Sequence, residues 1–286
     1  MLGDVETSEE LVEICHLHPD VIEWCPSSGL EDWLAWGMYQ HNEERNERQG
    51  ALVVARLDCD SGSASLQHQA NISSPGVYDL AWSSSHLVLM CACADGAVRL
   101  YHAQPEVTEI AHNQLSDCIL THLCWGAGEA DGIVVVGQDG VLHHLKAGTE
   151  IRRVTSRQQH NLEAWCVEVS HDRNLIVSGA DDSLLLGWDL RSPDVLTFSN
   201  RSHEAGVISL ACNPHNDFQI LSGSYDERLR LFDLRHMKEP LIRSNRLGDG
   251  AYQLSWHTNK GVFAVAAMRC GFPIFELDEA GTFERL

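Results

Sequence analysis

The 286-residue chain has little proline, with eight residues, and few basic side chains, 20 Lys and Arg against 41 Asp and Glu. A net charge of −21 lacks the positive footprint of a nucleic-acid surface, so no direct nucleic-acid partner is expected. No apolar run approaches the ~20 residues that span a bilayer. No early apolar run follows a basic segment either, so neither a membrane partner nor an export leader is expected. The G-x-S-x-G elbow, H-E-x-x-H and paired C-x-x-C motifs are all missing, which removes support for α/β-hydrolase chemistry and for the common zinc sites. No metal or cofactor is expected. Ten cysteines would suggest a disulfide framework in a short secreted domain. Here most stand in apolar runs, as Cys91, Cys93, Cys166 and Cys212 do, and behave as small hydrophobes. Without an export signal they are expected to be reduced thiols of the cytosol or nucleus.

What is plentiful is apolar material, 44% of the chain with eight tryptophans, enough for a substantial core. It recurs with a period. Short apolar strands end at Trp82, Trp125, Val169, Cys212 and Trp256, at steps of 43, 44, 43 and 44 residues. The first four units reach an acidic turn residue 13 or 14 positions later, at Asp95, Asp139, Asp182 and Asp226. Six residues on stand Tyr101, Leu145, Trp188 and Phe232. Four strands per unit of about 40–45 residues, with a W-D signature, is the pattern of a WD40 β-propeller, an all-β fold.

In the unit containing Cys212, the pattern predicts strands over 207–213, 219–224, 229–234 and 241–244. Asp95-Gly96 and Asp139-Gly140 suit tight hairpins between second and third strands. A looser first unit starts at Val21 and carries a charged insertion at 41–50, expected as a solvated loop, which stretches its interval to 58 residues. Six units are visible, the last with 282–286 as its outer strand. Residues 11–18 are expected as a further strand that completes a last blade. The favoured arrangement is a seven-bladed ring lacking its C-terminal blade, rather than a six-unit ring with a spare strand. Residues 1–286 are read as one domain.

His160, Ser178, Asp182 and Trp188 recur at nearly the same offsets as His203, Ser222, Asp226 and Phe232. A His–Ser–Asp set invites a catalytic-triad interpretation. Its repetition at blade spacing favours instead the buried His-Ser-Asp-Trp hydrogen-bond relay that braces WD40 blades. Cys15-His16-Leu17-His18 holds potential metal ligands, but alternate strand residues face opposite sides, so an edge strand is the simpler expectation.

Several segments go beyond generic WD40 sequence: V-I-E-W-C-P at 21–26, W-G-M-Y-Q at 36–40 and H-N-L-E-A-W at 160–165. S-G-A-D-D-S-L-L-L-G-W-D-L-R at 178–191 and G-S-Y-D-E-R-L-R-L-F-D-L-R-H-M-K-E-P-L at 223–241 continue them. In these segments the chain resembles the diphthine methyl ester hydrolases (diphthine methyltransferases) of diphthamide biosynthesis, over nearly its whole length and most strongly from about His160 to Leu241. Phe232 in place of a repeat Trp, and the missing final blade, depart from that family. The resemblance implies a cytoplasmic enzyme that removes a methyl ester from a modified histidine on translation elongation factor 2.

Ester hydrolysis needs a nucleophile, a base and donors for the developing oxyanion. In a propeller, the loops entering the innermost strands and the second-to-third turns share one face. Glu163 and Trp165 lie on such an entry, Asp181 precedes Asp182, and Tyr225 and Glu227 flank Asp226. These five are expected either to converge on one rim or to be ordinary residues of a binding surface. On the first alternative, Glu163 or Asp181 is the general base, while Trp165, Tyr225 and Glu227 contact substrate. The aromatic pair forms a wall, and the acidic rim attracts the trimethylammonium group of diphthine.

A non-catalytic scaffold remains the competing expectation, because fold does not set function. Trp188-Asp189-Leu190-Arg191 and Phe232-Asp233-Leu234-Arg235 also resemble the tandem motif by which WD40 receptors dock to cullin-based ubiquitin ligases, so a ligase adaptor is a candidate partner.

Overall fold

Apolar β-branched, aromatic and cysteine residues in runs of about six, separated by Gly and Asp turns, favour strands buried on both faces. The computed structural model describes residues 15–44, 47–58, 65–83, 87–103, 106–126, 132–170, 174–278 and 281–286, with backbone only at 193 and 194. Its strands form six four-stranded antiparallel sheets, each a simple meander. The first contains β1 (Pro19–Trp24), β2 (Trp33–Asn42), β3 (Glu47–Asp58) and β4 (Ser65–Ser74). The second contains β5 (Val77–Trp82), β6 (Val88–Cys93), β7 (Ala97–His102) and β8 (Thr108–Gln114). The third is β9 (Leu120–Trp125), β10 (Ile133–Gly137), β11 (Val141–Ala147) and β12 (Ile151–Gln158). The fourth is β13 (Ala164–Ser170), β14 (Leu175–Ala180), β15 (Leu185–Asp189) and β16 (Ser192–Asn200). The fifth is β17 (Val207–Cys212), β18 (Gln219–Ser224), β19 (Leu229–Asp233) and β20 (Ile242–Arg243). The sixth is β21 (Gln253–Trp256), β22 (Val262–Ala266), β23 (Ile274–Leu277) and β24 (Phe283–Arg285). The fold is a WD40-type propeller. Among the described residues, no helix is long and apolar enough to cross a membrane.

The core lies between successive sheets. In β6, Leu89, Cys91 and Cys93 pack toward the first sheet, while Met90 and Ala92 pack toward the third. The strand period of two thus serves two cores at once. All nine cysteines among the described residues are free.

The recurring tryptophans stitch neighbouring sheets together. The indole nitrogens of Trp82, Trp125 and Trp256 donate to the carbonyls of Glu23, Ala81 and Ala211, at 3.2, 2.9 and 3.4 Å. Each acceptor stands immediately before the repeat position of the preceding sheet.

Both His–Ser–Asp sets brace their own sheets. His160 lies 3.1 Å from Asp182 and 2.8 Å from Ser178, and His203 lies 3.0 Å from Asp226 and 2.8 Å from Ser222. Trp188 does not complete its set as expected, since its Nε1 has no hydrogen-bond partner. Phe232 has no donor to offer. In the fifth sheet the buried Arg230 joins Asp226 at 2.7 Å instead.

Two other expectations are corrected. Residues 41–42 and 47–50 are strand and not loop: β2 and β3 extend into them, pairing His41 with Arg48 and Asn42 with Glu47, with a turn at 43–44. Backbone ladder bonds hold the charged stretch extended, with residues 45–46 outside the described residues. Of the strand expected at 11–18, residues 11–14 lie outside the described residues, and residues 15–18 form no strand. Cys15 and Leu17 instead cover Leu34, Trp36 and Met38 on the face of the first sheet that no other sheet covers.

The inner strands β1, β5, β9, β13, β17 and β21 pack side by side in that order. Among the described residues, no packing of comparable extent joins β21 back to β1. Large apolar side chains stay exposed at both ends of this series, Ile22 and Trp24 on β1 and Met268, Phe272 and Ile274 on the sixth sheet.

Candidate functional site

In four sheets one backbone bond ties the second-to-third turn to the entry of the inner strand. These are Ala94 to Gly76, Gln138 to Ile119, Asp181 to Glu163 and Tyr225 to Gly206, at 2.9 to 3.0 Å. The entry loops and turns therefore form one rim. In the fourth and fifth turns the left-handed position held elsewhere by Gly96 and Gly140 falls to Ser183 (φ 63°) and Glu227 (φ 67°).

Inside this rim, all six inner strands line a single cavity of about 600 Å³. Trp165 and Tyr225 line it. Glu163, Asp181 and Glu227 do not, but Asp181 stands at its edge. A Cβ built on Gly206 would lie 2.4 Å from Asp181 Oδ1 and 3.3 Å from a Tyr225 ring carbon, so this glycine lets the two side chains approach each other. Burial raises the Asp181 carboxyl, and the charge of Glu163 raises it further. The Trp165 indole N–H, close to this carboxyl, pulls it part of the way back, although Trp165 Nε1 reaches no full hydrogen-bond geometry with any partner. Glu227 turns away from the cavity toward Arg246, 3.5 Å distant.

The cavity also gathers residues that do not belong to the rim loops: Asp20, Glu23, Tyr78, Asp79, His122, Cys124, Glu168 and Tyr252. Their signal was available in the repeat. Glu23 and Glu168 directly precede a repeat position, and Asp79 and His122 stand three residues before one. Polar residues inside otherwise apolar strands mark the edge that faces the channel.

Two of these acids staple sheets: Glu23 accepts the Trp82 amide at 2.9 Å, and Asp79 accepts the Leu123 amide at 2.7 Å. Burial lifts Glu23 to about 8 and Glu168 to about 7, and it raises Asp79 as well. His122 Nδ1 lies 3.9 Å from Asp79 and has no hydrogen-bond partner. Below the mouth burial therefore pushes the acids toward their neutral form, Glu23 foremost, which weakens their negative charge relative to the rim. Among the described residues, no group of three or more His, Cys, Asp or Glu is arranged to hold a metal ion.

The family model "WD domain, G-beta repeat" matches residues 64–102, 151–189 and 194–233. Each match runs from the outer strand of one sheet through three strands of the next. "Diphthine methyltransferase" of Homo sapiens is 27% identical over 92% of the chain, and that of Mus musculus is 29% identical over 92%. The chain carries WD40 repeats and is similar to the diphthine methyltransferases over most of its length. It spans 67% of the human relative and 62% of the mouse one. Among solved structures, a chain of the mitotic checkpoint complex has a TM-score of 0.75 at 15% identity, covering 99% of this chain and 88% of its own. Sqt1 from Chaetomium thermophilum has the same score and identity over 94% of this chain and 71% of its own. These two likenesses concern the fold alone.

Proposed function

We propose that this chain serves diphthamide biosynthesis as a carboxylic ester hydrolase, removing the methyl ester of diphthine methyl ester on translation elongation factor 2 in the cytoplasm. The observation that carries this is the meeting of Trp165, Asp181 and Tyr225 at the mouth of a cavity open to a side chain. Asp181, raised by burial and by Glu163, takes a proton from water as its oxygen attacks the ester carbonyl. The unpartnered indole N–H of Trp165 is available to the oxyanion that forms. Collapse of the tetrahedral intermediate breaks the bond to the methoxy oxygen, which takes up a proton and leaves as methanol, and a carboxylate remains. Trp165 and Tyr225 wall the substrate, and the acidic rim with Glu163 and Glu227 draws in its trimethylammonium group.

The test is incubation with elongation factor 2 bearing methylated diphthine, with loss of one methyl group followed by mass spectrometry. Wild type should release methanol, and Asp181→Asn should lower kcat by about 10²-fold or more. No release by wild type sinks the esterase proposal, and full turnover by both Asp181→Asn and Glu163→Gln sinks the assignment of the base.

A substrate-receptor role rests on one other observation. Arg191 and Arg235 are exposed at the ends of third strands of adjacent sheets, each held by its own aspartate at 2.8 and 2.5 Å. Co-purification of a ligase adaptor in place of elongation factor 2 would favour it.

A further inference from the structure

The inner strands reach the channel mouth in register. Four residues before each repeat position stand Asp20, Tyr78, Thr121, Trp165, Ile208 and Tyr252, and all six line the cavity. Aromatic rings thus come from alternate sheets, the second, fourth and sixth. Tyr225 adds a fourth ring from the turn of the fifth sheet. Its ring is wedged between Gly206 and Gly250, whose Cβ atoms would lie 3.3 and 3.0 Å from it. The Tyr78 and Tyr252 phenols are close enough to interact across the channel, and Tyr225 interacts with both. Asp20 sits beside this pair of phenols, with a buried Oδ2 that has no hydrogen-bond partner. Neither Lys nor Arg lines the cavity. Tyr225 and Tyr252 each remain 40% exposed, so ring surface is left uncovered.

Three phenols, an indole and a carboxylate, with neither Lys nor Arg in the cavity wall, suit a particular kind of ligand. A primary ammonium keeps its hydration shell and needs an acceptor for each N–H. A quaternary ammonium has no N–H, and its methyl groups spread the charge over a surface that packs against aromatic faces.

We propose that the channel mouth is a cage for a quaternary ammonium group, walled by Tyr78, Trp165, Tyr225 and Tyr252, with Asp20 as its counter-charge. That the physiological ligand is the trimethylammonium arm of diphthine rests on the esterase reading above; the cage itself does not. The quaternary nitrogen of that arm is borne on the carbon next to the ester carbonyl. Seating it here would therefore bring the ester beside Asp181, which neighbours Tyr225.

Binding of small ligands to the whole chain tests the cage without any turnover. The probes are choline, its uncharged isostere 3,3-dimethylbutan-1-ol, and ethanolamine, titrated by ligand-observed NMR. Choline should bind saturably, about tenfold or more tighter than either comparison compound. Tyr252→Leu and Trp165→Leu should each weaken choline by about tenfold, Asp20→Asn should weaken it severalfold, and Tyr252→Phe should stay within about twofold. Equal binding of choline and its isostere overturns the proposal on wild-type protein alone, whatever the variants do to folding. So does an absence of saturable choline binding, or unchanged affinity in folded Tyr252→Leu and Trp165→Leu. If choline binds through these residues but no methanol is released, the cage stands and the esterase falls. If methanol is released with a KM that Tyr252→Leu leaves unchanged, the esterase stands and the cage falls.

Discussion

Replacing Glu23 with glutamine should make the protein less sensitive to alkali. Glu23 lies in the channel wall and accepts the Trp82 amide at 2.9 Å, a bond that a glutamine carbonyl can also accept. Burial is the main reason its carboxyl is lifted from 4.5 to about 8; the Trp82 hydrogen bond lowers it in part, and the charge of Asp79 raises it again. A group whose folded value is raised binds more protons folded than unfolded between those two values. Its contribution to stability is therefore complete below pH 4.5 and is lost as pH rises toward 8. One pH unit in that window corresponds to about 1.4 kcal/mol, so the whole window has an upper limit of about 5 kcal/mol. Water in the open channel raises the effective dielectric and reduces this to roughly 2–4 kcal/mol. Urea unfolding of wild type and Glu23→Gln, followed by tryptophan fluorescence at intervals from pH 5 to pH 9, reads the difference directly. The two should be close at pH 5, with the variant ahead by roughly 2–4 kcal/mol at pH 9. Asp20, Asp79 and Glu168 titrate in both proteins and largely cancel. Parallel curves would show that Glu23 is already ionised in the folded channel, and the charge distribution assigned to the channel would be wrong.

Loss of a brace should destabilise without abolishing turnover: His203→Ala removes the ring that links Ser222 to Asp226 and leaves a buried gap, while Arg230 still holds Asp226, at a cost of about 2–4 kcal/mol in urea unfolding. A triad role would instead remove catalysis at unchanged stability. Burial lowers His203, so its contribution is complete above the unfolded value near 6.5 and falls away as the solution is acidified; the variant should lose that acid sensitivity. Gly96→Ala should cost about 2 kcal/mol or more, measured the same way, because its φ is +82° and the new Cβ would lie 2.0 Å from the Ser116 carbonyl oxygen.

The propeller was legible because its signal is local and repeated. Each Trp–Asp interval is a property of one sheet, and the tryptophans recur because each indole must reach a carbonyl on the preceding sheet. The charge of residues 41–50 does not mark a loop, because an extended hairpin can carry charge wherever its sides face solvent. The rim was partly legible: turn position placed Trp165, Asp181 and Tyr225 correctly beside one another. It could not show that Glu227 would turn to Arg246, which arrives on a later loop fixed by the bond from Leu247 to Glu227. The channel residues were visible one by one, but not as a set. Tyr78 and Tyr252 are 174 positions apart and become neighbours only when six sheets are arranged around an axis.

The acidity of the chain takes on a specific meaning at this site. A trimethylammonium ester carries one positive charge. Once the ester is cleaved, the same arm carries a carboxylate as well and is neutral overall. A mouth rimmed by Glu163 and Asp181, with Asp20 in the cavity wall and neither Lys nor Arg there, would attract the first and oppose the new charge of the second. On the esterase proposal, the same carboxylates that draw substrate in would oppose the product. Glu23 deeper in the channel, held mostly protonated, adds little field of its own, and Glu168 adds only part of a charge. Had they been ionised, the strongest attraction for the cation would lie below the mouth, away from Asp181 and the rings. Glu23 and Asp79 therefore fasten one inner strand to the next, and burial of these acids and of Glu168 shifts the effective charge toward the rim, where the proposed ester would be exposed to water.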